Sequence, residues 1–212
     1  MNIVISLLGL PLVMFLVKKK LDTEAGSFKS LLITPLITII SLGIGIYGLT
    51  NNTSFVGFLL VLFLVFSLVG DVFNCLKEDH LLYGLIYFAV GHLLLMIVAL
   101  LNCSFNMYLI FIFIILSIIM LLLFLKFKSN LNPIMMKAVP VYMGLATISA
   151  GFSFGSNSFL FMTGVISFYL SDIFLGMREF WFVNNRFFHI LVWIFYPLGV
   201  YLIANSLIYN IF

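Results

Sequence analysis

FVGFLLVLFLVFSLVGDVFNCLKEDHLLYGLIYFAVGHLLLMIVALL, residues 55–101, is two long apolar runs separated by one charged break, "KEDH" at 77–80. Each run is long enough to cross a hydrocarbon layer about 30 Å thick, which takes about 20 residues of helix. No water is available inside a bilayer to satisfy backbone N–H and C=O groups, so each run must bond to itself as an α-helix. The stretch therefore predicts a transmembrane hairpin. It also carries two residues that sit badly in lipid, Asp71 in the first run and His92 in the second.

The rest of the chain repeats the pattern. Hydrophobic residues make up 64% of the 212 and charged residues only 8%, and mean hydropathy is +1.29, far from the composition of a soluble domain. Polar or Gly/Asn-rich breaks divide the sequence into eight candidate spans, at about 2–17, 29–49, 55–76, 82–101, 107–125, 133–152, 158–177 and 187–208. The first precedes a lysine cluster and lacks a small-residue cleavage site, so it reads as a retained span rather than a signal peptide. The expected fold is an all-α polytopic membrane bundle of eight transmembrane helices, one integral domain over residues 1–212. Cys75 and Cys103 fall at opposite ends of a hairpin, so no intramolecular disulfide is expected.

Charge orients the bundle, because Lys and Arg are retained on the cytoplasmic side. All ten basic residues lie in or beside alternate connections: Lys18, Lys19, Lys20 and Lys29; Lys77; Lys126, Lys128 and Lys137; Arg178 and Arg186. These connections are placed in the cytoplasm and both termini outside. Five of the seven acidic residues share the same connections, leaving Asp71 and Asp172 inside helices. "GDVFNCLK" (70–77) and "SDIFLGMR" (171–178) put each aspartate six residues before a base, about 9 Å along a helix. Both carboxyls are thus expected at one depth below the cytoplasmic surface.

A charged carboxylate at the centre of a spanning helix costs about 2.5–3.5 kcal/mol, so neither aspartate should face lipid. Two carboxyls in a partly dry site resist being ionised together, which leaves one as acid and the other as base. The plainer alternative is that each merely accepts a packing hydrogen bond from a neighbouring helix. His92, near mid-membrane, is a second-rank proton carrier. Lys29 and Lys137 begin helices at the charged face, where they mark topology or hold a phosphate headgroup. Asn74 and Tyr169, one turn from Asp71 and Asp172, and Tyr142 lie near the same depth. No cofactor is expected and no metal, since no His pair or other ligand spacing supports a zinc site. Serine-hydrolase, zincin and nucleotide-binding motifs are missing, and the sparse charge excludes nucleic acid.

Two phrases carry a family resemblance. "FSLVGDVFNCLKEDHLLYGLIYFAVGHLLL" and "AVPVYMGLATISA…GVISFYLSDIFLGMREF", with "FK" at 28–29 and "LIANS" at 202–206, resemble the YhhN-like lysoplasmalogenase family of eight-helix membrane proteins. The resemblance implies hydrolysis of the vinyl ether bond of a lysophospholipid, giving a fatty aldehyde and a glycerophospho-alcohol. It makes Asp71 and Asp172 catalytic and puts Lys29, His92 and Tyr142 at family positions, with Lys137, Asn74 and Tyr169 as further substrate contacts read from depth. Ser30, Leu95 and Val200 depart from the family's usual proline, tyrosine and glutamine without removing a carboxylate. The expected partners are lysophospholipid and membrane lipids, with no obligate protein partner. The expected location is a cell membrane, the cytoplasmic membrane of a bacterium. Two rivals remain at this stage: a proton-coupled transporter using the same aspartates, and a zinc-dependent lipid hydrolase.

Overall fold

A computed structural model describes residues 9–10, 12–17, 19, 28–76, 81–182 and 185–209, without the side chains of 28–32, 75 and 76. It is all-helical among these residues. The helices are α1, helical at 9–10 and 12–17; α2, Phe28–Asn51; α3, Phe55–Leu76; α4, Leu81–Leu101; α5, Met107–Phe127; α6, Met135–Ser153; α7, Phe159–Phe180; and α8, Arg186–Ile208. From α2 onward the ends fall within three residues of those expected from hydropathy. The remainder of the span expected at 2–17 lies outside the described residues.

The polar breaks do more than interrupt apolar runs. Ser158 accepts the Phe161 N–H at 3.2 Å, Asn185 the Phe187 N–H at 2.9 Å and Asn132 the Met135 N–H at 2.8 Å. Each supplies an acceptor to a helix start that would otherwise leave its first donors unsatisfied.

Six helices close into a ring. In order around it, α2 packs on α3, α3 on α4, α4 on α6, α6 on α7, α7 on α8, and α8 back on α2. α5 lies outside against α6 and α7, and of its residues only Leu109, Met120 and Phe127 are buried. α1 reaches α2 and α8, where Gly9 lies against Ile44 and Tyr201.

Six helices are long and apolar enough to cross a membrane: α2, α3, α4, α5, α7 and α8. α6 is not among them. Its second half buries Ala146, Thr147, Ser149, Ala150, Gly151 and Ser153, small and hydroxylated residues that let a helix pack closely in a bundle.

The tightest helix contact is α7 on α8. A Cβ added to Gly199 would sit 2.7 Å from the Phe168 amide nitrogen and 3.0 Å from the Gly164 carbonyl oxygen, so the two backbones touch where α8 passes α7. At the end away from the basic connections, Cys103, a free thiol, pairs by a β-bridge with Ser156, and the Ser104 N–H donates to the Gly155 carbonyl at 2.8 Å. Gly199→Val should separate α7 from α8 and cost about 1–3 kcal/mol. Reversible unfolding in mixed detergent micelles would measure the loss.

Candidate active site

Each helix of the ring contributes one polar side chain to two buried networks. In the first, Asp71 of α3 is 2% exposed. Its Oδ2 accepts from the Tyr196 hydroxyl of α8 at 2.7 Å and from the Thr38 hydroxyl of α2. The Thr38 and Tyr196 oxygens are themselves 3.2 Å apart. One carboxyl oxygen thus gathers two hydroxyl donors from two other helices.

In the second network, His92 of α4 is fully buried. Its Nε2 lies 2.7 Å from Asp172 Oδ2 of α7, and its Nδ1 lies 2.9 Å from Ser149 Oγ of α6. Ser149 Oγ also lies 2.9 Å from the Ala146 carbonyl oxygen, so its one hydrogen goes either to that carbonyl, with Nδ1 donating to Ser149, or to an unprotonated Nδ1. At 2.7 Å the Asp172–His92 contact is a hydrogen bond that holds one proton, on the ring or on the carboxyl.

Serine, histidine and aspartate are also the members of a nucleophilic triad. Here the arrangement differs. Ser149 is fully buried, with its hydroxyl between His92 and the Ala146 carbonyl of its own helix. The member that borders a cavity is Asp172.

That cavity, of about 50 Å³, extends from Asp172 and Tyr142 towards the ends of α3 and α7, where Asn74 and Glu179 line it. One water requires about 10–15 Å³, so a few fit. Asn74 reaches this position by crossing α4 at Gly84, where a Cβ would lie 1.9 Å from its Oδ1. Tyr142 stands edge-on to His92, ring centroids 5.3 Å apart, and its phenol interacts electrostatically with Asp172.

The carboxyls sit on helices that occupy opposite positions in the ring. α3 and α7 meet through the edge-to-face rings of Phe63 and Phe168, centroids 5.3 Å apart. Phe168, fully buried, also packs 5.0 Å from His92, 5.9 Å from Phe88 and 5.7 Å from Tyr196. It is the apolar hub between the two networks.

The other expected contacts divide. Lys137 is exposed and lies along a second, lipid-facing groove with Tyr142. Tyr169 is buried in the α5–α6–α7 core near Thr147 and lines neither cavity. Lys29 is in the first turn of α2, with its side chain outside the described residues. Among the described residues no three His, Cys, Asp or Glu side chains converge. His189 is engaged by Arg178 at 3.2 Å, and His80 lies outside the described residues. Thr38, Tyr196, Ser149 and Phe168 were not singled out from sequence. The available signal was a hydroxyl inside an apolar span, which is weak because a helical Ser or Thr ordinarily satisfies itself on its own backbone.

An all-helical membrane bundle with a buried Asp–His pair beside an internal cavity defines the class: a membrane protein that holds titratable groups within its own core. The YhhN family model matches residues 27–207, and the chain belongs to the YhhN family. Comparison with curated proteins gave no match, and neither did comparison with solved structures.

The buried pair makes a stability prediction independent of function. His92→Leu leaves Asp172 without its partner and should destabilise by about 3–5 kcal/mol if the carboxyl stays charged. Adding Asp172→Leu should recover part of that loss, with a coupling of about 0.5–3 kcal/mol in a double-mutant unfolding cycle.

Proposed function

We propose that the protein is a membrane hydrolase of the lysoplasmalogenase type, cleaving the vinyl ether bond of a single-chain phospholipid with Asp172 and His92 as its acid–base centre. The observation that carries this reading is the single proton held between Asp172 and His92 at the wall of a cavity sized for water. Membership of the YhhN family supports it.

A vinyl ether is stable to bases and labile to acids. Protonation of its β-carbon converts the C=C–O unit into an oxocarbenium ion, and water adds to the carbon bearing oxygen. The resulting hemiacetal collapses to an aldehyde and an alcohol. The Asp172–His92 pair supplies the proton in the first step. The carboxylate it leaves behind stabilises the cation and receives a proton from the attacking water, restoring the starting state. The division of labour parallels carboxylate pairs that act through oxocarbenium-like states in glycoside hydrolysis.

Asp71 plays a different part. Held as an acceptor by Thr38 and Tyr196, it provides fixed negative charge in the same half of the bundle, which favours cation formation in a medium of low dielectric. No step needs a nucleophilic serine, a metal or a redox cofactor.

Purified protein incubated with an alkenyl lysophospholipid should release fatty aldehyde, and the matching acyl lipid should release no fatty acid. Asp172→Asn should lower aldehyde release by about 10²–10⁴-fold, the contribution of a positioned acid or base. Asp71→Asn should lower it less. Ser149→Ala should retain activity within about tenfold, because it removes a hydrogen-bond partner of His92 worth about 0.5–1.5 kcal/mol and not a nucleophile. Full turnover by Asp172→Asn would sink the mechanism.

A further inference from the structure

On the lipid-facing side of the ring, α4 and α6 leave an open groove of about 630 Å³. Ala89 and Leu93 of α4 and Ala138, Val141 and Leu145 of α6 line it, and Lys137 is the one charged lining residue. Two residues, Leu85 and Tyr142, line both this groove and the inner cavity that reaches Asp172. They form the partition between lipid and site.

The geometry points to this groove as the lateral port through which a single-chain phosphate-bearing lipid enters, its hydrocarbon chain between α4 and α6 and its phosphate on Lys137. The inference rests on the hydrolase reading for what happens next, and not for the binding itself.

Charge and length both select this occupant. The groove is otherwise apolar, which suits a hydrocarbon chain, and Lys137 at the basic end of α6 attracts one anionic group. From Lys137 to Tyr142 is five residues of helix, a rise of about 7.5 Å. That is the reach of an extended glycerol bridge between a phosphate and the ether at the first carbon of its chain. A lipid seated by its phosphate therefore brings its first chain bond to the Tyr142–Leu85 partition, beside the cavity wall at Asp172. Pro140 lies two residues before Tyr142 inside α6. It removes a backbone hydrogen bond and lowers the resistance of this turn to bending, which lets the partition open.

The test is a binding measurement that does not need turnover. A Val141→Trp reporter is titrated with a lysophospholipid carrying a brominated, saturated ether chain, which quenches tryptophan and cannot be hydrolysed. The expected result is saturable quenching, reversed by the unbrominated lipid. Lys137→Ala should weaken binding about fivefold, the worth of one lysine near an anionic group, and should not change binding of an alkylglycerol that lacks phosphate. Ala138→Phe, filling the groove, should weaken it in proportion to chain length, up to about fourfold per methylene excluded.

An Ile114→Trp reporter on the exposed face of α5 should show quenching that rises linearly with lipid content. If Val141→Trp behaves the same way, the groove holds bulk lipid only and the inference falls. Should Val141→Trp fail to fold, Ala89→Trp reports from the facing wall by the same criteria. Saturable binding without aldehyde release would keep the port and overturn the hydrolase. Aldehyde release with linear quenching at both groove positions would do the reverse.

Discussion

A carboxylate inside a membrane protein must be neutralised or hydrogen-bonded where it sits, and this requirement organises the bundle. Thr38, Asp71, His92, Ser149, Asp172 and Tyr196 come one from each of the six ring helices. Asp71 ties α2, α3 and α8 together; the Asp172–His92–Ser149 chain ties α7, α4 and α6. In lipid the apolar faces of helices gain little by meeting one another, so close packing and interhelical hydrogen bonds select neighbours. The same contacts that hold the two charges also set the order of helices around the ring.

The networks differ in kind. Asp71 receives two hydroxyl donors, which a carboxylate accepts without change of state. Asp172 faces an imidazole, so its bond shares one proton between two titratable groups. Between them stands Phe168, which packs on His92 and on Tyr196 and leaves no polar bridge through its ring. Low dielectric keeps each group's field strong.

The membrane spans were legible because hydropathy and helix length are the same constraint seen twice, and α2 to α8 end close to where polar residues interrupt the apolar runs. Spacing to the nearest bases gave the expectation of a common depth for Asp71 and Asp172. Their surroundings were not legible in this way. Sequence placed α3 and α7 parallel, but not on opposite sides of a ring with α4 and α8 supplying the partners. Thr38, Ser149 and Tyr196 gave little warning, since a hydroxyl in a helix costs almost nothing when it can bond one turn back and a tyrosine is common near interfaces. His92 was visible, because an imidazole has no such local refuge. Its bond to Asp172 required two helices far apart in sequence to be neighbours in space.

The far half of the bundle shows what a local refuge means for function. Ser153 donates to the Ala150 carbonyl, Thr163 to the Phe159 carbonyl and Ser206 to the Ile203 carbonyl. Each hydroxyl is satisfied within its own helix, so it neither reaches across to a neighbour nor extends a chain of exchangeable protons. Other groups do reach across: the Asp71 and Asp172 networks link helices, and at the far end the Ser104 hydroxyl donates to the Gly155 carbonyl at 3.1 Å; the inner cavity leads the other way, past Asn74 and Glu179. A proton relay between two compartments needs bonds that hand on from helix to helix through both halves. Ser153, Thr163 and Ser206, each turned back on a carbonyl of its own helix, do not provide such bonds.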